Sequence, residues 1–414
     1  MKSFEKKLLK KIILKNIKKE SKSNFEYPLT DNPFELDDIM TGINVLLRGK
    51  ITMSEITRKF ENKFAKYVGA KYALMVNSGS SANLLSFFCL INPKNKKKLR
   101  KNDECLIPAL CWSTSLWPIV QSGLKPKFVD VEVNTLNVNL KDLEKKITKK
   151  TKAVLAVHIL GNSTNMEKLM QICKKKNLTL IEDTCESLGS KFNGKSLGTF
   201  GRFGTYSFYP SHQITSGEGG MIVCNDRQDY EILHSLRAHG WDRGLNKKNN
   251  KSFNFINSGF NLRPLDLTAS IGLSQLQKLD KFKAHRISNR DKIIKKLKLS
   301  KNWKNQFNFI EPINNLKPSW FGLPILVNKK FIKVKSVFLK KLNQANIETR
   351  PIISGNFLNQ PCINLYNLKK KGETYLGSQE IENRGFFIGL PTKIISNEKL
   401  NFLVKNLFKI DKLA

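Results

Sequence analysis

The stretch Ser207-Phe208-Tyr209-Pro210-Ser211-His212-Gln213-Ile214-Thr215-Ser216-Gly217-Glu218-Gly219-Gly220 decides how this chain reads. A strand-like run, 204–208, leads into it and a second, 220–224, leaves it. His212 is its most informative residue. An imidazole has no primary amine, so it cannot bond covalently to an aldehyde as a lysine does. It can still take up a proton near neutral pH, because its ordinary pKa is about 6.5.

Working outward, helical periodicity alternates from Glu55 onward with short β-branched or apolar runs. Residues 72–76, 104–107, 127–131, 153–158, 178–182, 204–208 and 220–224 read as strands, with helices at 81–88, 140–146 and 166–175. That rhythm predicts an α/β domain around a mixed, mainly parallel sheet. In such sheets ligands gather at the carboxyl ends of the strands. Ser78, Trp112, Asp183 and His212 each follow a predicted strand by a few positions.

A long helix from about 264 to 282 leads into another over 286–297, followed by a strand at 322–327 and helices at 332–345 and near 398–409. The expected division is a basic N-terminal helical segment (1–30), a large domain (31–285) and a smaller C-terminal α/β domain (286–414). Residues 3 to about 20 have the lysine-broken apolar pattern of an amphipathic helix that suits the protein's own surface, a partner or a membrane, and packing on its own domain is the expected arrangement. Pro28 and Pro33 mark a turn before a helix over 36–48.

The chain has 414 residues, enough for roughly two or three domains. With 40% hydrophobic and 26% charged residues it has the balance of a soluble globular protein. No apolar run reaches the roughly 18 to 20 residues needed to span a bilayer, so no integral membrane association is expected. Lysines interrupt the N-terminal apolar pattern and no small-residue cleavage site follows, which predicts a cytoplasmic protein.

The net charge of +38 and runs such as Lys94-Asn95-Lys96-Lys97-Lys98 and Lys247-Lys248 suit phosphate backbones. The lysines are nonetheless spread along the whole chain, together with abundant asparagine, isoleucine and phenylalanine, as in an AT-biased genome. No nucleic-acid motif accompanies them, and no nucleic-acid partner is expected. The seven cysteines form no CxxC pair and read as reduced thiols, with no metal site.

Several residues stand out chemically. In Asn77-Ser78-Gly79-Ser80-Ser81-Ala82-Asn83 a strand turns into a helix, where Gly79 and Ser80 suit either an anion or an ordinary helix cap. Trp112, in Pro108-Ala109-Leu110-Cys111-Trp112-Ser113, reads by itself as a core tryptophan. Asp183, in Glu182-Asp183-Thr184-Cys185-Glu186, ends a β-run and by itself reads as a helix cap. Arg350 has a planar fork for a carboxylate or a diphosphate, and a plain surface arginine reads equally well. His239, in Arg237-Ala238-His239-Gly240-Trp241-Asp242-Arg243, is either a proton-transfer group or a structural histidine.

Taken in order from about residue 30 to the end, these segments resemble the DegT/DnrJ/EryC1/StrS family of pyridoxal-phosphate sugar aminotransferases. The resemblance implies the aspartate-aminotransferase-like (type I) fold and a homodimer with active sites at the subunit interface. It also implies roles. Gly79, Ser80 and Ser207 hold the cofactor phosphate, Trp112 stacks on the pyridine ring and Asp183 faces the pyridine nitrogen. Asn261, in Gly259-Phe260-Asn261-Leu262-Arg263-Pro264, reaches the phosphate of the neighbouring subunit, and Arg350 belongs to a loop that contacts substrate.

His212 stands where most members carry the lysine that bonds covalently to the cofactor. Glu186 stands where aminotransferases often have an amide or histidine. Both departures, with the run from Arg237 to Arg243, are similar to the branch that deoxygenates sugars at carbon 3. That implies pyridoxamine 5'-phosphate (PMP) or pyridoxal 5'-phosphate (PLP) held without a covalent bond, a nucleotide-linked 4-keto-6-deoxyhexose as substrate and L-glutamate as amine donor. One subtype of the branch acts on a CDP-sugar and carries an iron–sulfur cluster on four cysteines; the other acts on a GDP-sugar without one. Cys185 falls near a first cluster ligand, but no cysteine occurs between Cys224 and Cys362, so the cluster-free subtype is expected. Two other readings remain. A plain sugar aminotransferase needs a lysine in register, and none occurs between Lys195 and Lys247. A silent homologue acting as a structural partner would have no use for the retained pocket residues.

Overall fold

The computed structural model describes residues 3–20, 23–30, 34–245, 253–370 and 372–413. Pro33 and the Lys247-Lys248 pair lie outside the described residues. In chain order the strands are β1 (Tyr72–Val76), β2 (Glu104–Pro108), β3 (Lys125–Val129), β4 (Thr151–Val157) and β5 (Thr179–Asp183). The short pair β6 (Lys191–Phe192) and β7 (Lys195–Ser196) follows, then β8 (Phe203–Ser207) and β9 (Gly220–Cys224). The later strands are β10 (Phe307–Phe309), β11 (Leu316–Lys317), β12 (Gly322–Val327), β13 (Thr349–Arg350) and β14 (Gly385–Gly389).

A seven-stranded sheet runs β1-β9-β8-β5-β4-β2-β3. Only β9 opposes the others: it is antiparallel to both β1 and β8, while β8, β5, β4, β2 and β3 pair in parallel. The mixed, mainly parallel α/β sheet expected from the sequence is therefore present. Its central strands β8 and β9 are buried at every position, which is why β9 reads as a short continuous apolar run without alternation. On one face the helix Glu55–Val68 sends Phe60 and Phe64 against Tyr206 and Phe208, with ring centroids 5.0–5.7 Å apart. Each such buried aromatic contributes about 1.5–3 kcal/mol. The helix stops at Gly69, whose φ of +82° is a left-handed cap that glycine adopts without a Cβ penalty.

The second sheet, β10-β12-β14-β13, is antiparallel and packs on the helix Leu279–Lys298 and the C-terminal helix Asn397–Leu407. Tyr27 belongs to this core, with its hydroxyl donating to the Gly389 carbonyl oxygen at 3.0 Å.

Some boundaries differ from expectation. Strand β3 begins two residues before the predicted 127, and β4 ends at Val157, before His158. The helix expected over 264–282 is interrupted. Asp266–Leu276 ends, and Leu279–Lys298 begins afresh. The junction is pinned by buried Asp38, which accepts from Ser274 Oγ (2.6 Å), Gln275 Nε2 (2.7 Å) and Lys278 Nζ (2.8 Å). That contact crosses more than two hundred positions of chain, so local periodicity could not reveal it.

Candidate active site

The carboxyl ends of β1, β2, β4, β5 and β8 open into one cleft of about 690 Å³. Gly79, Ser80, Trp112, Asp183, Glu186, Ser207, His212 and Arg350 all line it. Leu29, Phe321, Ile353 and Phe387 add apolar surface from elements that accompany the second sheet. A more open groove of about 1450 Å³ beside Arg202 and Lys195 contains none of the residues expected to act.

The helix Gly79–Leu90 starts at the mouth of β1, with Ser78 as its N-cap accepting from the Ser81 amide at 3.1 Å. The first amides of a helix have no acceptor within it, and they point out of its N-terminus. Gly79 is required by packing. A Cβ there would lie 2.6 Å from Ser207 Cβ and 3.1 Å from Ser207 Oγ. Its absence lets the Ser207 hydroxyl, at the end of β8, sit beside the helix start. Ser80 Oγ meets Thr114 Oγ1 at 2.9 Å, and Ser80, Thr114 and Ser207 line the cleft together beside the helix N-terminus, a setting that suits an anion.

Asp183 closes β5 and is only 5% exposed. Its Oδ2 accepts from Asn83 Nδ2 (2.8 Å) and Ser115 Oγ (2.7 Å), and its Oδ1 from the Cys185 amide (3.2 Å). Asn83 is itself held by Thr205 Oγ1, which donates to Asn83 Oδ1 at 2.6 Å. The carboxylate is thereby fixed in direction. Sequence reasoning missed Asn83 and Ser115, although Asn83 lies one helical turn beyond Gly79 and so faces the same way. Trp112, far from being a core residue, is 54% exposed and presents its ring to the cleft.

His212 is half-buried, with its ring 5.2 Å from Phe321 and 6.2 Å from Tyr209 in edge contacts. Nδ1 lies 2.7 Å from the Cys185 carbonyl oxygen. Burial pushes the imidazole pKa down to about 4, against the opposing pull of that carbonyl and of Asp183, while Arg286 lowers it further. This environment favours the neutral imidazole at neutral pH, where the sequence by itself reads only the ordinary value of about 6.5. Glu186 moves the opposite way. Burial raises its carboxyl to about 8, offset by the Leu160 amide that donates to Oε2 at 3.0 Å and reinforced by Asp183. Burial also pushes the Cys185 thiol well up, and the Asp183 and Glu186 charges add to this.

His158, another lining residue that sequence reasoning missed as a site group, bridges Glu182 Oε2 and Ser163 Oγ, each at 3.0 Å. Arg350 is exposed at the cleft edge and pairs with Glu348 at 3.1 Å. Two candidates stand apart from the cleft of this chain. Asn261 is exposed, accepting from Arg263 Nε at 3.0 Å, next to Leu262 whose carbonyl accepts the Asn77 amide at 3.2 Å. His239 is also exposed, with a backbone φ of +61°. The neighbouring Arg237 is structural: it is buried, donating to Glu61 Oε1 (2.6 Å) and to the Met75 carbonyl (2.8 Å).

The model of the DegT/DnrJ/EryC1/StrS aminotransferase family matches residues 36–401. The chain is 38% identical over 374 residues to the GDP-4-keto-6-deoxy-D-mannose 3-dehydratase of Escherichia coli O55:H7, covering 88% of this chain and 95% of that protein. It is 36% identical over 398 residues to the protein of the same name from Yersinia pseudotuberculosis, covering 93% and 98% respectively. A solved GDP-4-keto-6-deoxymannose-3-dehydratase with a trapped PLP-glutamate geminal diamine matches with a TM-score of 0.86 at 36% identity, over 92% of this chain and 100% of that one. The fold is therefore the one shared by these PLP proteins, as the motifs implied. Matched over residues 36–401 and more than 30% identical to these relatives across most of both chains, the chain belongs to the DegT/DnrJ/EryC1/StrS aminotransferase family.

Proposed function

We propose that this protein removes the hydroxyl at carbon 3 of a nucleotide-linked 4-keto-6-deoxyhexose, using PMP held without a covalent bond and L-glutamate to restore its amine. The observation that carries this reading is His212. It is a neutral imidazole in the cleft where a lysine would bond to the cofactor, and among the described residues no lysine lines that cleft. The relatives' names make the GDP-linked 4-keto-6-deoxymannose the first substrate to test.

The residues present fit the cofactor. The Gly79 and Ser80 amides with the Ser80 and Ser207 hydroxyls would take its phosphate, and Trp112 would cover its ring. Asp183, held by Asn83 and Ser115, would face the pyridine nitrogen. When bound, that group supplies an electron sink for charge that develops beside carbon 4 of the sugar. The Cys185 carbonyl can only accept, so the imidazole proton sits on Nδ1 and Nε2 keeps the lone pair. Nε2 takes a proton in the first half of the reaction and returns it to the departing hydroxyl, which leaves as water. Glu186, protonated at neutral pH, offers a hydrogen-bond donor inside the cleft. Arg350 stands where it can meet the anionic part of the substrate. Over a full cycle the 4-keto-6-deoxy sugar and glutamate give the 3,6-dideoxy-4-keto sugar, 2-oxoglutarate and ammonia.

The cluster-free form of this chemistry is supported by Cys185, the single cysteine among the cleft-lining residues, whose thiol burial keeps protonated. A homodimer is supported by Asn261, exposed and outside its own cleft, where a second copy would bring it to the partner's phosphate turn. Residues 31–285 would then form the large domain and 286–414 the small one, with 1–30 as an N-terminal appendage. No described helix is long and apolar enough to cross a membrane. A cytoplasmic location accords with the seven free thiols.

The test is to supply PMP, glutamate and either GDP-4-keto-6-deoxymannose or CDP-4-keto-6-deoxyglucose to the purified protein. One ammonia released per 3-deoxy product is the expected outcome. Accumulation of a stable 4-amino sugar would establish an aminotransferase instead, and absence of turnover with either nucleotide would establish a silent homologue.

A further inference from the structure

The helix Ser3–Glu20 carries two apolar rows at four-residue spacing, on different sides. Leu9, Ile13 and Ile17 form the row that is half-buried against the body of the protein. Phe4, Leu8 and Ile12 form the other, and they are 77%, 50% and 49% exposed. Helical geometry puts Lys11 and Lys15 between and beside these exposed side chains, with Lys7 on the flank. Leu14, 50% exposed, belongs to neither row, so no single stripe dominates the pattern. A helix that only covers its own domain needs one such row; the second is apolar surface with nothing described against it.

We propose that this outer face docks the protein peripherally on an anionic phospholipid surface. Two features select that occupant. The face combines aliphatic and aromatic side chains with ammonium groups at its margin, which matches an apolar acyl layer beneath a negatively charged headgroup layer. Of the five lysines in residues 3–17, Lys7, Lys11 and Lys15 flank this face, against the single acid Glu5, while Lys6 and Lys10 line a groove with Met40 and Thr41 on the other side. A second copy seated face to face would set these lysines against one another, and a nucleic acid would leave Phe4, Leu8 and Ile12 without an apolar partner. Leu9, Ile13 and Ile17 tie the helix to the body, so docking would hold the whole enzyme at the surface without any spanning segment.

The test uses the full-length protein and sedimentation with vesicles of phosphatidylglycerol and phosphatidylethanolamine, against vesicles of phosphatidylcholine alone. Co-sedimentation with the anionic vesicles only is expected. The triple substitution Phe4→Ser, Leu8→Ser, Ile12→Ser keeps the charge and should abolish it. Lys11→Gln and Lys15→Gln should each weaken it by roughly fivefold. Turnover in solution should be unchanged in all three variants, which also reports that they are folded. Equal binding to neutral vesicles, no binding at all, or full binding by the triple variant would overturn the proposal. So would a change of oligomeric mass in the triple variant, because the face would then belong to a second copy.

Discussion

His212 Nδ1 lies 2.7 Å from the carbonyl oxygen of Cys185, two residues past the aspartate that ends β5. This one contact orients the ring, fixes its tautomer and ties the loop after β8 to the loop after β5. It joins the two parts of the proposed chemistry, proton transfer and cofactor support, through backbone.

His212→Asn keeps a polar side chain of smaller size but removes the base. Dehydration should fall by about 10²–10⁴-fold, with cofactor binding retained in a fluorescence titration. His212→Lys should bond covalently to PLP, visible as a new absorption band that borohydride reduction locks in place, and should lose dehydration.

The pH dependence follows from two opposed shifts. His212 acts as a base only when neutral, so the acid limb of kcat/KM should lie near pH 4. Glu186 is protonated below about 8, so an alkaline limb should appear there and vanish in Glu186→Gln. Stability responds with the corresponding signs. The His212 value lies below its unfolded value of about 6.5, so its contribution is present above 6.5 and lost as pH falls through 4. The Glu186 value lies above its ordinary 4.5, so its contribution is present below 4.5 and lost as pH rises through 8. Thermal melts across pH 4–9 on the two single variants would separate them.

Asn83→Ala removes one of two donors from Asp183 Oδ2 and leaves Thr205 Oγ1 with only its longer bond to the Glu182 carbonyl oxygen, at 3.3 Å. A hydrogen bond to a charged group contributes about 1.5–3 kcal/mol, so PMP affinity should drop roughly tenfold or more. Ser115→Ala should act in the same direction, and the double variant should be non-additive because both donors serve one oxygen.

Trp112→Ala should weaken PMP binding by about tenfold, while Trp112→Phe restores most of it, because the ring face is what stacks. Quenching of tryptophan fluorescence on PMP addition, lost in the alanine variant, is the direct readout.

Glu61→Gln probes the buried Arg237 pair, which has no part in the chemistry. It leaves a guanidinium uncompensated in the core and should cost about 3–5 kcal/mol, read as a lower Tm. The motif around Arg237 was legible as a family signature, but its physical role as a tie between β1 and two helices was not.

Much of the site could be read in advance because its residues sit at strand ends. Strand ends are marked locally by short apolar runs giving way to Ser78, Trp112 and Asp183. The residues that escaped reading, Asn83, Ser115 and His158, act through partners about 70–100 positions away or within buried pairs, and no local pattern announces such contacts. The interrupted helix near Gln277 escaped for the same reason, since Asp38 holds it from the far side of the sequence.

By itself, the order of residues determined the α/β class, carried the motifs by which the family is identified and put a histidine at position 212, because motif residues and strand or helix periodicity are local properties. Only the tertiary structure decided how that imidazole behaves. Its proton affinity depends on the water excluded by Phe321 and on the charges of Asp183 and Arg286, which reach it through space and not along the chain. The same holds for Glu186, an ordinary acid in sequence that becomes a proton holder once the fold has closed around it.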